Sequence, residues 1–507
     1  MKKLLAALLA LVMLLTSLSV TAFAYDTKSV SYPTVKVHGF MSRDVLADKN
    51  DRDSDVLWPP STDLILDAVK KAVPSLAKFA VTRDWQKLGD EITPLVKSIF
   101  EPAFLDENGN AKGDSGVYFV YPAASEITKS SEVSFSYDWR LSPVETAAKL
   151  NDFINYVLKC SGSDKVNLQC HSFGGVVTTA YARIYGTQKL HSVVYNSTAV
   201  LGETYTGELM TGKIVLDEQA IINFLSYCFD YSDYQTILNG AVKLLSDAGL
   251  LNFICVFGND IIKNLSNQVL PEVIVPAFGG WLSVWSMVPD ADIAEGMDYV
   301  FNEIYKNSDI DRSGLIAKIN DYNAIRPYKI DVLNSLKENT NFYVISRYGY
   351  CSVPITPSWQ NMSDGVVDSR YTSFGATFAE FDKRLSDEQL AGKDPAMISP
   401  NRNVDASTCM FPDQTWFIRN MKHANSDGNL DEFINTLIAY DGQATVETFK
   451  EFPRFMLFDS AANILVPDKE DAAETGFLAT VKDVIRELRA LFKMMIELIF
   501  GKITAAC

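Results

Sequence analysis

The sequence predicts an α/β fold, with a mainly parallel central sheet, helices on both faces and a large helical cap insertion. Three observations predict it. Short apolar runs at KVNLQ (165–169), HSVVYNST (191–198) and NFYVISRYG (341–349) read as strands. Between the first two lies GGVVTTAYARIYG (174–186), a helical stretch closed by Gly186. Strands alternating with helices imply crossovers between parallel strands. From about 202 to 338, in contrast, the chain is helical and rich in aromatics with no strand alternation, which marks an insertion.

Residues 1–24 read as a secretory leader. MKK is a positive start, LLAALLALVMLLTSLSV an apolar core, and Ala22-Phe23-Ala24 a small-x-small cleavage site. A membrane anchor is the competing reading, weakened by the polar TSLS interruption, and no cysteine follows the site for lipid attachment. The protein is therefore expected to be secreted and extracellular. Two of the 46 basic residues leave with the leader, so 44 face 63 acidic ones, a net charge of −19. Such a surface repels nucleic acid and anionic membranes. No nucleic-acid partner is expected, and any contact with a lipid surface must be mainly apolar. The seven cysteines are scattered, none pair at metal-finger spacing, and their odd number leaves a thiol outside any intrachain bridge.

The elements follow in order. Residues 25–201 form the first part of the core. Within it YPTVKVHGF (32–40) alternates into a strand ending at His38-Gly39. An insertion over about 45–115 carries an acidic loop and two helical stretches, roughly 62–82 and 84–100. VYFVYP (117–122) and VSFSYDW (133–139) look like short strands. VETAAKLNDFINYVLKC (144–160) has helical spacing, with Ala147, Leu150, Phe153, Ile154 and Val157 on one face. Residues 202–338 form the cap, and 339–466 the second part of the core, where QTWFIRNMKHAN (414–425) is a further strand or loop. Residues 467–507 are a linker, PDKEDAAETG, and a C-terminal amphipathic helix. Its apolar face, Val481, Ile485, Leu488, Phe492, Met495 and Ile499, suits docking on its own core or on a lipid surface.

The chemistry centres on KVNLQCHSFGGVV (165–177). A strand running into x-Ser-x-Gly and a helix is the way a nucleophilic serine is exposed on a tight turn, although an ordinary strand-to-helix turn has a similar look. Ser172 needs a base, and the base needs an orienting acid. There are four histidines. His171 adjoins the serine on a turn that drives neighbouring side chains apart. His191 starts a strand, and His38 lies at the wrong end of the site for a base. Elimination leaves His423. The acid belongs after a later strand, between serine and histidine. NMSDGVVDSR (361–370) supplies Asp364, with Asp368 as nearest rival and Asp405 and Asp413 as remote ones; Ser-Asp-Gly is also ordinary turn chemistry. An oxyanion would take the backbone N–H of Phe173 and that of Phe40, placed just beyond His38-Gly39. Nothing in this set requires a metal or a cofactor.

SYDWRLSP (136–143), the elbow CHSFGG, NMSDGVVD and the later histidine together resemble the lecithin:cholesterol acyltransferase family and related bacterial lipases of the α/β-hydrolase fold. The likeness covers roughly 33–50 and 117–425. WLSVWSMVP (281–289) is similar to a Trp- and Pro-bearing segment of the family's cap, which implies substrate-binding roles for Trp281, Trp285 and Met287; packing within the cap is the alternative. Tyr137, Asp138, Trp139 and Arg140 read as a buried structural set. Three departures stand out: Cys170 replaces the usual first elbow glycine, where a thiol would be an oxidation point, the insertion over 45–115 is long, and so is the gap from Asp364 to His423.

The resemblance implies a serine esterase of the lipase or phospholipase kind, acting on a lipid or other acyl ester through a Ser-His-Asp acyl-enzyme. O-acyl transfer would use the same intermediate. A polysaccharide acyl esterase and a non-catalytic extracellular binding protein on the same scaffold are the alternatives.

Overall fold

The computed structural model describes residues 32–226, 242, 246, 249–426 and 428–471. The expected leader at 1–24 and the amphipathic helix at 475–503 lie outside them. Eight strands form the main sheet: β1 (Thr34–Val37), β2 (Glu132–Phe135), β3 (Val166–His171), β4 (Leu190–Asn196), β5 (Asn341–Tyr348), β6 (Thr415–Arg419), β7 (Phe455–Asp459) and β8 (Ile464–Pro467). Their order across the sheet is β8-β7-β6-β5-β4-β3-β1-β2. Every pairing is parallel except the terminal β7–β8 hairpin.

Eight of the described helices cover the sheet or belong to the two insertions. Helices α1 (Thr62–Thr82) and α2 (Trp85–Phe100) come from the first insertion, and α3 (Pro143–Ser161) and α4 (Phe173–Tyr185) flank β3. The second insertion contributes α5 (Leu250–Val269) and α6 (Leu282–Met287). Helix α7 (Lys329–Asn339) leads into β5, and α8 (Leu430–Ala439) follows β6. The start of α3 is set by Ser142, whose side chain accepts from the Val144 N–H, with Pro143 in the first turn and Gly162 in a left-handed conformation at the end. All five residues of its expected apolar face are fully buried.

Both faces of the sheet are covered, and the two-residue period of the strands decides which side chain goes where. Val193, Tyr195, Phe342 and Val344 pack with Leu150 of α3, Val176 of α4 and Leu333 of α7. Their neighbours Val194, Tyr343 and Ile345 point the other way, onto Phe433, Ile434 and Leu437 of α8. Near-continuous apolar strands of this kind are the mark of a sheet buried on both sides.

The two insertions meet. Phe79 of α1, Leu88 of α2 and Leu265 of α5 share one apolar cluster with Trp85, Phe257 and Ile261. Gln268 Nε2 donates to Asp90 Oδ1 at 3.0 Å across the same seam. The last part of the 202–338 segment belongs to the sheet layer instead, since α7 packs on α4 and β5.

Two expectations are corrected. Residues 117–122 form no strand: Phe119 packs edge-on against Phe135 and Phe153, so the apolar pattern there reflects side-chain packing rather than a ladder. The first residues of the expected linker are pinned, because Arg419 Nη2 pairs with Asp468 at 2.8 Å and with Asp471 at 2.9 Å.

Candidate active site

Strand β1 connects outward to β2, whereas β3, β4, β5 and β6 follow one another in the opposite direction. The chain therefore diverges at the carboxyl ends of β1 and β3, the place where open α/β sheets form a crevice. Gly39 and Phe40 follow β1, and Ser172 follows β3.

Ser172 has φ 56° and ψ −128°. A positive φ in a residue with a Cβ costs on the order of 1–3 kcal/mol and persists only where its surroundings impose it. Here the Ser172 N–H donates to the Asn196 carbonyl at 3.2 Å, and the Gly175 N–H donates to the Ser172 carbonyl at 3.0 Å. The turn is also pressed against β1. A Cβ on Gly174 would run into the Val37 carbonyl and stand 2.8 Å from that of His38. A Cβ on Gly39 would lie 2.7 Å from Ser172 Cβ and 3.1 Å from its Oγ. The serine hydroxyl thus lies directly beside the loop that carries Phe40.

The Phe173 N–H opens helix α4, whose dipole makes that end partially positive. Among the described residues neither the Phe40 nor the Phe173 N–H is bonded within the protein. The Phe40 loop is held by the buried set at 137–140. Tyr137 Oη donates to the His38 carbonyl, and Trp139 Nε1 to that of Arg43 at 2.9 Å. The Phe40 ring meets Trp139 edge-on at 4.7 Å between centroids. Asp138 and Arg140 pair at 2.6 Å, and Arg140 Nη1 donates onward to the Ala103 carbonyl at 3.1 Å.

On the other side, His423 Nδ1 and Asp364 Oδ2 are 2.7 Å apart, both side chains buried. The His423 N–H also donates to the Asp364 carbonyl at 2.8 Å. The other carboxylate oxygen, Oδ1, accepts the Val366 and Val367 N–H groups at 3.0 and 2.8 Å. With its lone pairs taken up this way, Asp364 fixes the ring's tautomer and leaves Nε2 as the basic nitrogen. The rival aspartates are engaged elsewhere: Asp368 by Thr204 and Asn361, Asp405 by Lys393 and Ser407, and Asp413 near Arg454.

The remaining histidines have other work. His171 lies against His423, ring centroids 4.6 Å apart, and its Nε2 donates to the His423 carbonyl at 2.9 Å. Burial, then the neighbouring His423 and Arg347, push its pKa well below the usual value, so it faces the His423 ring uncharged. His38 accepts at Nε2 from Arg43 at 2.8 Å, and burial followed by Arg43 brings its pKa down to about 3. His191 bonds Asn167 at 3.1 Å.

Two residues that sequence reasoning missed support the loops of Asp364 and His423. Arg347, fully buried near the end of β5, donates from Nη1 to the carbonyls of Lys422, His423 and Asn425 and from Nε to Asn196. It shapes the loop that presents His423. Burial lowers its pKa to about 10, with Asp364 opposing, and it stays a cation. Its signal was present as a lone charge in an otherwise apolar strand. Glu203 is the second, and no local pattern singles it out.

The remaining expectations resolve as follows. Cys170 is buried with its Sγ on the Val194 carbonyl at 3.2 Å, and burial pushes its pKa up to about 12; this is a closed thiol rather than an oxidation point. Trp281, Trp285 and Met287 are buried in the main core. The two indole N–H groups donate to the carbonyls of Ala103 and Gly279 at 3.0 and 2.8 Å, and Trp281 lies 5.9 Å from the Phe40 ring.

No family model matches the chain, and no curated protein matches it. The solved structures that match include the crystal structure of the Tle4-Tli4 complex, with a TM-score of 0.29 and 10% identity, covering 63% of this chain and 75% of that one.

Proposed function

We propose that this chain is a secreted serine esterase of the lipase or phospholipase kind, on an α/β-hydrolase fold similar to that of the lecithin:cholesterol acyltransferase family. The observation that carries the reading is Ser172 at φ 56° on a strand-to-helix turn, at the same carboxyl end of the sheet as the 2.7 Å pair of Asp364 and His423. Secretion rests on the leader-like residues 1–24.

In this reading Ser172 Oγ attacks the ester carbonyl carbon while His423 Nε2 takes its proton. Asp364 stabilises the imidazolium so formed. The carbonyl oxygen becomes an oxyanion held by the Phe40 and Phe173 N–H groups. Collapse breaks the bond to the leaving alkoxide, which takes the proton from His423, and leaves the acyl group on Ser172. Water, deprotonated by the same ring, then releases the acid and regenerates the serine. An acceptor alcohol in place of water gives acyl transfer. The acidic surface favours neutral or zwitterionic acyl esters over anionic ones.

A fluorophosphonate probe and a p-nitrophenyl ester test this. The wild type should be labelled on a peptide containing Ser172, and Ser172→Ala should lose labelling and several orders of magnitude of turnover. Labelling at another residue, or turnover retained by the alanine variant, overturns the proposal.

A further inference from the structure

Glu203 lies on the segment that leaves β4 for the cap, and it is buried. Its backbone N–H donates to the Met287 carbonyl, at the end of α6, at 2.7 Å. Thr206 Oγ1 bridges the same two residues, donating toward the Glu203 and Met287 carbonyls at 2.7 and 2.8 Å. The Glu203 backbone is therefore part of the cap. Its side chain reaches the other way, and Oε2 accepts the Asp368 N–H at 2.7 Å. Asp368 closes the short loop whose Val366 and Val367 N–H groups grip Asp364, and the Asp364 N–H in turn donates to the Val367 carbonyl at 3.3 Å.

We infer that Glu203 is a positioning residue that ties the cap to the Asp364 loop and, through Asp364, keeps the His423 ring directed at Ser172. The inference rests on the proposed role of these three residues. A buried N–H stripped of its acceptor costs about 1–3 kcal/mol, enough to make a tight loop rearrange. Misplacement of a catalytic group by about an ångström is felt mainly in turnover.

The charge around Glu203 is consistent with a neutral carboxyl. It faces Asp368 and Asp364, with Tyr205 and Tyr371 close by and Arg370 3.8 Å from Asp368 at the rim. Burial, then the Asp368 charge, push the Glu203 pKa well above its ordinary value, and burial raises Asp368 to about 6. A raised acid keeps its proton in the folded chain after the unfolded chain has lost it. Stability therefore falls as pH rises above the usual glutamate value of 4.5.

The test compares Glu203→Ala and Glu203→Gln in the full chain, by short-ester kinetics and by the low-field proton signal of the His423 Nδ1–H. Alanine should lower kcat roughly 10- to 100-fold with KM within about twofold, and should broaden or remove the signal. Glutamine, whose amide oxygen accepts the same N–H, should restore both, and its stability advantage over wild type should grow with pH. Alanine with unchanged kcat and signal overturns the inference. So does a cooperatively melting glutamine variant that has lost them, which keeps the test decisive if alanine fails to fold. The signal needs no turnover: a wild type that shows it but cleaves no ester refutes the proposed function and leaves the positioning inference open to measurement. A wild type without the signal refutes the inference.

Discussion

Ser172 is held by its immediate neighbours in the chain and by the two strands beside it, whereas Asp364 and His423 are held by residues scattered from 203 to 425. On the first side the constraint is steric: a strained φ, a glycine against the Val37 and His38 carbonyls, and another against Ser172 itself. On the second it is a network of hydrogen bonds centred on Arg347, Asp364 and Glu203. The difference teaches that a serine has to be forced into a strained backbone conformation, and crowding does that locally. A carboxylate and an imidazole have to be aligned across two loops, and only directional bonds from several elements do that.

Replacing atoms on each side separates these two modes. The largest effect should come from Asp364→Asn, which is isosteric but leaves the imidazole in the wrong tautomer; kcat should drop about 10⁴-fold with the melting temperature little moved. Asp368→Asn in the same assay should lose no more than about tenfold, and a larger loss there than at 364 would transfer the orienting role to Asp368. Gly174→Ala should act through stability instead. Its methyl meets two backbone carbonyls that cannot step aside, so urea unfolding should show a loss of about 3 kcal/mol. A fully stable alanine variant would mean the turn has slack, and the steric account of the elbow would fail. The smallest effect is at Cys170: iodoacetamide at pH 8 should leave it unmodified in the folded chain and modify it after unfolding, as mass spectrometry of its peptide would show.

The same contrast explains what was legible in the sequence. Ser172 and the elbow glycines were readable because steric demands leave a compact motif. The strands at 166–171, 190–196 and 341–348 were readable because a sheet buried on both faces forces apolar runs. His423 came from the scarcity of histidines, and Asp364 from chain order; the contact at 2.7 Å pairs those two and leaves Asp368 in a separate set of bonds. Glu203 was not readable, since the hydrogen bond that gives it a role spans 165 residues of chain and leaves no local trace. The apolar stretch at 117–122 misled for a related reason. Alternation reports which side chains pack inward, and Phe119 is half-buried against rings from β2 and α3 outside any strand. The union of the two insertions was likewise invisible, because neither helical stretch announces which partner covers its apolar side.

That union has a practical consequence. Phe79, Leu88 and Leu265 interlock side chains from segments separated by well over a hundred residues. The roof of this molecule is a two-piece part, and the pieces are matched to each other. A chimera that exchanged the part of 202–338 before α7 alone would bring in half a joint and leave α1 and α2 with a mismatched counterpart. Grafting a different roof onto this sheet means moving the 45–115 stretch along with it.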